Sequence, residues 1–242
     1  MTNHIADISL RKAAMVAGFG YLPVFILGGF ANFSNFIVPG DAATTANNIM
    51  ASEQLFRTYI ASWLIVLTAD VVVAWALYVL LKPVNQSLSL LAAWSRLLFV
   101  AIFAIALVNH FPVLQLLSGA DYLTVFEPNQ LQAQAMSFVN AYTFGVNISF
   151  VFFGLHIFFL GYLIFKSDYI PRILGVLLII TSVGYQIDSF GNFLSSNYAS
   201  NEALFIVFVA VPAVISEFSL TAWLLIKGRK VEQQDNHAPA AP

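Results

Sequence analysis

The sequence predicts an all-α integral membrane protein, a bundle of six transmembrane helices, and three observations predict it. Of the 242 residues 60% are hydrophobic and only 9% are charged, whereas ordinary soluble domains carry roughly 25% charge. The apolar residues gather into six runs, 13–36, 56–81, 95–117, 137–165, 172–194 and 203–226. Each is long enough to cross a hydrocarbon core of roughly 30 Å, which takes about 20 helical residues. The runs are near-continuous and do not alternate, which selects helices over a closed barrel, the other structure that satisfies its own backbone in lipid.

The first run follows Arg11 and Lys12. Its apolar stretch of about 24 residues is too long for the h-region of a cleaved signal peptide, so it stays a span although the small residues DAATTA follow at 41–46. Pro23 interrupts this run, and Gly18, Gly20, Gly28 and Gly29 in it predict close helix packing, with a broken-helix binding site as the sharper alternative. The connection 37–57, IVPGDAATTANNIMASEQLFR, opens on a Pro-Gly turn and offers Asp41 as N-cap of a helical stretch leading into the second span. Arg57 at its end is expected to pair with Glu53 or Asp41.

The third span follows the connection KPVNQSLSLLAAW, 82–94. The segment 118–130, SGADYLTVFEPNQ, ends with Pro128 at the start of a helix expected to run to 165. At 1.5 Å per residue that helix is roughly 55 Å long and overshoots the bilayer. KSDYIPR, 166–172, leads to the fifth span, and Pro212 interrupts the sixth.

Lysine and arginine are kept out of short translocated loops. With the N-terminus cytoplasmic, nine of the ten basic residues (Arg11, Lys12, Lys82, Arg96, Lys166, Arg172, Lys227, Arg229, Lys230) fall inside and only Arg57 outside. Both termini are therefore expected in the cytoplasm, with short helical elements on the outer side and a bacterial cytoplasmic membrane as the location. The expected organisation is a cytoplasmic segment 1–10, a single membrane domain 11–230 and a disordered polar tail 231–242 containing an inert His237. Formal net charge is −2 with no basic patch, which argues against nucleic acid as a partner. The lipid bilayer and a small or lipidic ligand are the partners this composition admits; it leaves oligomeric state open.

A charged side chain at the middle of a span costs about 2.5 to 3.5 kcal/mol, so each needs a partner or a purpose. Five titratable residues stand inside spans: Asp70, His110, His156, Asp188 and Glu217. Counted from the cytoplasmic span ends, Asp70, His156 and Glu217 share a depth of about 14 to 17 Å, a midplane polar cluster. His110 and Asp188 lie at about 22 to 24 Å, nearer the outer surface, among Asn109, Asn140, Asn147, Gln186 and Asn192. Thr181, Tyr185, Asp188 and Asn192 recur at steps of four, three and four and form one helical face. Arg96, Phe103 and His110 repeat at seven, on another. An outward-opening cavity follows, with His110, Asn147, Tyr185, Asp188 and Asn192 as candidate ligand contacts and Asp70, His156 and Glu217 as its floor. The plainer alternatives stand beside it: His156 tying helices together by hydrogen bonds, Asp70 and Glu217 partnering Arg or His, and His110, close to Pro112, capping a helix end.

Among chemistries, the chain has no cysteine, which removes disulfides and thiolate metal sites. One histidine and two carboxylates at a common depth suit zinc or iron, but no HExxH or close His pair reinforces them. His110 and His156 differ in depth by about 8 Å, which disfavours a haem clamped between them. No intramembrane lysine is available for a retinal Schiff base. The residues name no cofactor and no nucleophile motif. Noncatalytic binding or transport of a small or lipidic ligand is the expected function. An intramembrane metal or acid/base enzyme using Asp70, His156 and Glu217 is the alternative, and a structural or assembly role is the third.

The strings RKAAMVAGFGYL, IVPGDAATTANNIMASEQLFR, YVLLKPVNQSLSLLAAW and GLHIFFLGYLIFKSDYIPRILGVLL, completed by GYQIDSF and SEFSLTAWLLIKG, fall in order between about residues 11 and 228. They resemble a bacterial membrane family known as domain of unknown function 4386. The resemblance implies a single-domain, multi-span inner-membrane protein and carries no activity and no residue roles with it.

Overall fold

The computed structural model describes residues 8–32, 35–195, 198–228 and 231. The first seven residues, Arg229, Lys230 and the tail from 232 with His237 lie outside the described residues, and so do the expectations placed on them. The described elements are helices α1 (Leu10–Asn32), α2 (Ala42–Ala51), α3 (Glu53–Leu81), α4 (Gln86–Leu107), α5 (His110–Leu116), α6 (Pro128–Lys166), α7 (Arg172–Leu194) and α8 (Tyr198–Ile226), with a 3-10 turn at Asp121–Leu123. No strand occurs among the described residues. Six spans are long and apolar enough to cross a membrane: Leu10–Ala31, Glu53–Leu81, Gln86–Leu116, Pro128–Lys166, Arg172–Leu194 and Val209–Ile226. Their outward faces carry large apolar side chains such as Ile26, Ile105 and Phe218, a surface that water disfavours and lipid accepts.

Local chemistry sets the helix ends. Asp41 caps α2, its Oδ1 accepting from the Thr44 amide at 2.9 Å and its Oδ2 from the Thr44 hydroxyl at 2.6 Å. These bonds hold the Asp41 carboxyl below its ordinary value. Ser52 leaves the helical region at φ −134°, so α2 stops there and does not run into α3. Glu53 and Arg57 pair across one turn of α3 at 2.7 Å. The amide of Glu127, just before Pro128, donates to Gln130 Oε1 at 3.1 Å, the return half of a capping box that starts α6.

Two helix boundaries differ from expectation. The expected loop 82–94 is mostly helix: Asn85 Oδ1 accepts from the Leu88 amide at 3.0 Å and starts α4 at Gln86. The third span also breaks between α4 and α5. Pro112 lacks an amide hydrogen and its ring crowds the carbonyl four residues back, at Val108, where the chain turns. Asn109 Nδ2 covers the Ala106 carbonyl there at 2.9 Å.

The helical segments group into two compact units. The first comprises Met1–Leu22, Ala69–Phe99 and Phe150–Pro242. Small residues bring its helices close: a Cβ on Gly175 would stand 2.6 Å from the Gly161 carbonyl oxygen and 2.6 Å from the Phe165 nitrogen, both backbone atoms. Gly18 and Gly20 similarly admit Leu225 and Val73. The second unit comprises Pro23–Thr68 and Val100–Ser149. Its interior is aromatic, with Phe36, Phe56, Tyr59, Phe103 and Tyr142 buried. Among the described residues Gly28 and Gly29 have no neighbour within 4 Å of an added Cβ, so the close packing expected of the four α1 glycines is seen there at Gly18 and Gly20.

Candidate functional site

In the first unit a guanidinium organises the polar interior. α4 begins nine residues earlier than the expected span, so Arg96 lies about 15 Å into the helix and not at its mouth. Its side chain is fully buried. Arg96 Nε donates to Asp70 Oδ1 at 3.1 Å, and Nη2 closes a second, short contact on the same oxygen. Nη1 donates to the Tyr21 hydroxyl at 3.0 Å and meets His156 Nε2 at 3.0 Å. The guanidinium also stands 5.0 Å from the Tyr21 ring centroid and 5.6 Å from that of Phe153, within cation–π range.

This geometry determines the histidine tautomer. An arginine can only donate, so His156 Nε2 accepts; Nδ1 then carries the hydrogen and donates to the Ala92 carbonyl at 2.9 Å. Both ring nitrogens are committed, and so is Asp70. The adjoining void, lined by Ala74, Leu77, Ser89, Ala92 and Leu160, is only about 10 Å³, near the limit for one water molecule.

Of the midplane candidates, Asp70 and His156 therefore meet on Arg96, while Glu217 makes a different contact: its Oε1 accepts from Tyr185 at 3.1 Å. Among the described residues no group of three or more His, Asp or Glu is placed to hold a metal ion. Counting Arg96 among the surface cations also needs correction, since its charge is neutralised internally.

The α7 stripe faces α8. Thr181 and Ser216 hydroxyls meet at 2.9 Å, Tyr185 donates to Glu217, and Tyr198 donates to Asp188 Oδ1 at 2.7 Å. Tyr185, Asp188 and Asn192 are half-buried. Gln186 donates to the Val151 carbonyl at 2.8 Å, through the gap that Gly154 leaves.

His110 and Asn147 belong to the second unit. Asn147 is half-buried. His110 is fully buried, its ring centroid 4.1 Å from Tyr142, 5.1 Å from Phe56 and 5.5 Å from Tyr59. Neither ring nitrogen has a hydrogen-bond partner among the described residues, so the histidine caps no helix end there although α5 starts at it. Beside it the Tyr59 hydroxyl donates to that of Tyr142 at 2.8 Å.

Sequence reasoning missed Arg96 and Tyr21 as members of the polar centre. The signal for Arg96 was present: Pro83 followed by the Asn85 cap, and the seven-residue spacing to Phe103 and His110, all three now buried. Tyr21 carried none beyond its place in a span.

Comparison with known proteins adds kinship without a role. Residues 16–228 match the family model described as "Domain of unknown function (DUF4386)". A relative from Archaeoglobus fulgidus, described as "Uncharacterized protein", is 32% identical over 169 residues, spanning 70% of this chain and 83% of its own. No solved structure matches the chain.

Proposed function

Since the chain belongs to the DUF4386 family, whose function is unknown, we propose that it is a noncatalytic multi-span membrane protein that binds a small or lipidic ligand. The Arg96 centre acts in this reading as a fixed keystone, and the half-buried polar margin of α7, Tyr185, Asp188 and Asn192 with the neighbouring Glu217, provides the ligand contacts. One observation carries it: Asp70 and both nitrogens of His156 are engaged by Arg96 and Ala92, which leaves neither imidazole nitrogen free to act as a base or metal ligand. The protein resides in a cytoplasmic membrane with both termini inside. With Arg96 removed from the count, eight of nine remaining basic residues still follow that orientation.

The test is native mass spectrometry with elemental analysis of protein gently purified in lipid nanodiscs. A stoichiometric small molecule or lipid, lost in Asp188→Asn and Tyr185→Phe but kept in His156→Gln, is the expected result. A stoichiometric transition metal that disappears in His156→Ala would overturn the reading in favour of an enzyme. A protein that carries nothing in any form would leave the structural role standing instead.

A further inference from the structure

A second polar site lies at the opposite chemical extreme from the neutralised centre. In the first unit a groove of about 530 Å³ is lined by Ser167, Asp168, Tyr169, Arg172, Trp223 and Lys227, with Ile170 and Pro171 beside them. That volume lies in the range of ligand sites, roughly 300 to 1,000 Å³. Two of its walls are cationic. Lys227 has no carboxylate partner among the described residues. Arg172 meets Asp168 only at 3.8 Å, with both side chains largely exposed, a pairing worth little in water. Ser167, by contrast, is buried and already bonded to the Ile164 carbonyl at 2.8 Å, and Tyr169 to the Leu80 carbonyl at 2.6 Å. The fixed frame is thus satisfied, and the two cations are the groups left to receive a ligand.

Arg172 is also the first residue of the 23-residue helix α7, which has no side-chain cap at its start. A helix start carries positive potential, which favours an anion beside Arg172. The groove lies where α6 ends at Lys166, α7 begins at Arg172 and α8 ends at Ile226. Three spans end together there, and Trp223 lines the groove with an indole of the kind that settles at a membrane–water boundary.

We propose that this groove binds the phosphate of an anionic phospholipid headgroup through Arg172 and Lys227. A singly charged phosphodiester matches the surplus left after Asp168 is set against the two cations. The site stands independently of any ligand on the α7 stripe, because the two share no residue.

The experiment reconstitutes the full chain in nanodiscs of phosphatidylcholine doped with phosphatidylglycerol and reads retained lipid by native mass spectrometry. Phosphatidylglycerol is expected to stay in preference to phosphatidylcholine. Its retention should fall roughly tenfold or more in the Arg172→Gln/Lys227→Gln double variant, since each cation attracts anionic lipid. Asp168→Asn removes the one carboxylate among the described lining residues and should raise retention, a gain that a merely structural role does not produce. All three side chains are exposed, and monodispersity with unchanged thermal unfolding confirms that the variants fold. Equal retention of the two lipids, or undiminished phosphatidylglycerol in the double variant, would overturn the proposal. Inorganic phosphate that displaces the lipid and is itself retained in pure phosphatidylcholine discs would assign the site to a soluble anion and overturn the lipid source.

Discussion

At the scale of single residues, the cost of a buried charge explains the contrast between Arg96 and His110. Arg96 is stable in the span interior because Asp70, Tyr21 and His156 together take up its donors. Removing one ionic partner leaves the other uncompensated, at about 3–5 kcal/mol. Asp70→Asn is therefore expected to lower the thermal unfolding temperature sharply in detergent, whereas the double change Asp70→Leu/Arg96→Met, which removes both charges but leaves Tyr21 and His156 without their donor, should recover part of the loss. A double variant as unstable as the single one would show that the charges themselves are needed. His110 presents the opposite case. Its two ring nitrogens are unsatisfied, a burden of about 1–3 kcal/mol, set against aromatic contacts of about 0.5–1.5 kcal/mol. His110→Leu should thus leave stability within about 1 kcal/mol of the parent in the same melts; a large loss would mean that the imidazole has a polar partner after all.

Element-scale behaviour follows from caps and close approaches. The Asp41 carboxyl is lowered by its bonds from Thr44, so the stabilisation it lends α2 is present above the unfolded value and is lost as pH falls through the lower folded value. Hydrogen exchange along α2 is expected to quicken only in that acid window, and the dependence should vanish in Asp41→Asn, which caps without titrating. In α6 and α7 the limit is steric. Gly175→Ala drives a methyl into the backbone of α6 at 2.6 Å, and overpacking of this kind costs about 1–3 kcal/mol. Gly28→Ala and Gly29→Ala meet nothing within 4 Å and should be neutral or gain about 0.5–1 kcal/mol from helix propensity. Comparing the three melts tests whether α1 or the α6–α7 contact is the crowded one.

For the molecule as a whole, the testable quantity is orientation. Reporter fusions at the C-terminus and in the segment 37–52 should report opposite sides of the membrane, the C-terminus cytoplasmic; a translocated C-terminus would invert the assignment of the basic ends. Much of this level was legible in the sequence. Span number, the Asp41 cap, the Glu53–Arg57 pair and the long helix from Pro128 all follow from local rules: hydropathy over about 20 residues, capping chemistry within one turn, and proline at a helix start. Asp70, His156 and Glu217 could be singled out as costly because the cost of charge in lipid depends only on being in a span. Which groups repay that cost could not be read, because the partners come from distant segments: Arg96 and Asp70 are 26 positions apart, Arg96 and Tyr21 75. A shift of nine residues in one helix start carried Arg96 from the presumed surface into the interior. By itself, then, the sequence determined a six-span all-α membrane protein and the positions where polarity is expensive, since both depend on composition and short-range spacing. The tertiary structure alone decided that Arg96 binds Asp70 and His156 and that His110 lies buried among aromatic rings. It also decided that the α7 stripe turns toward α8. Each of these depends on which helix faces meet, and that choice is made by long-range packing.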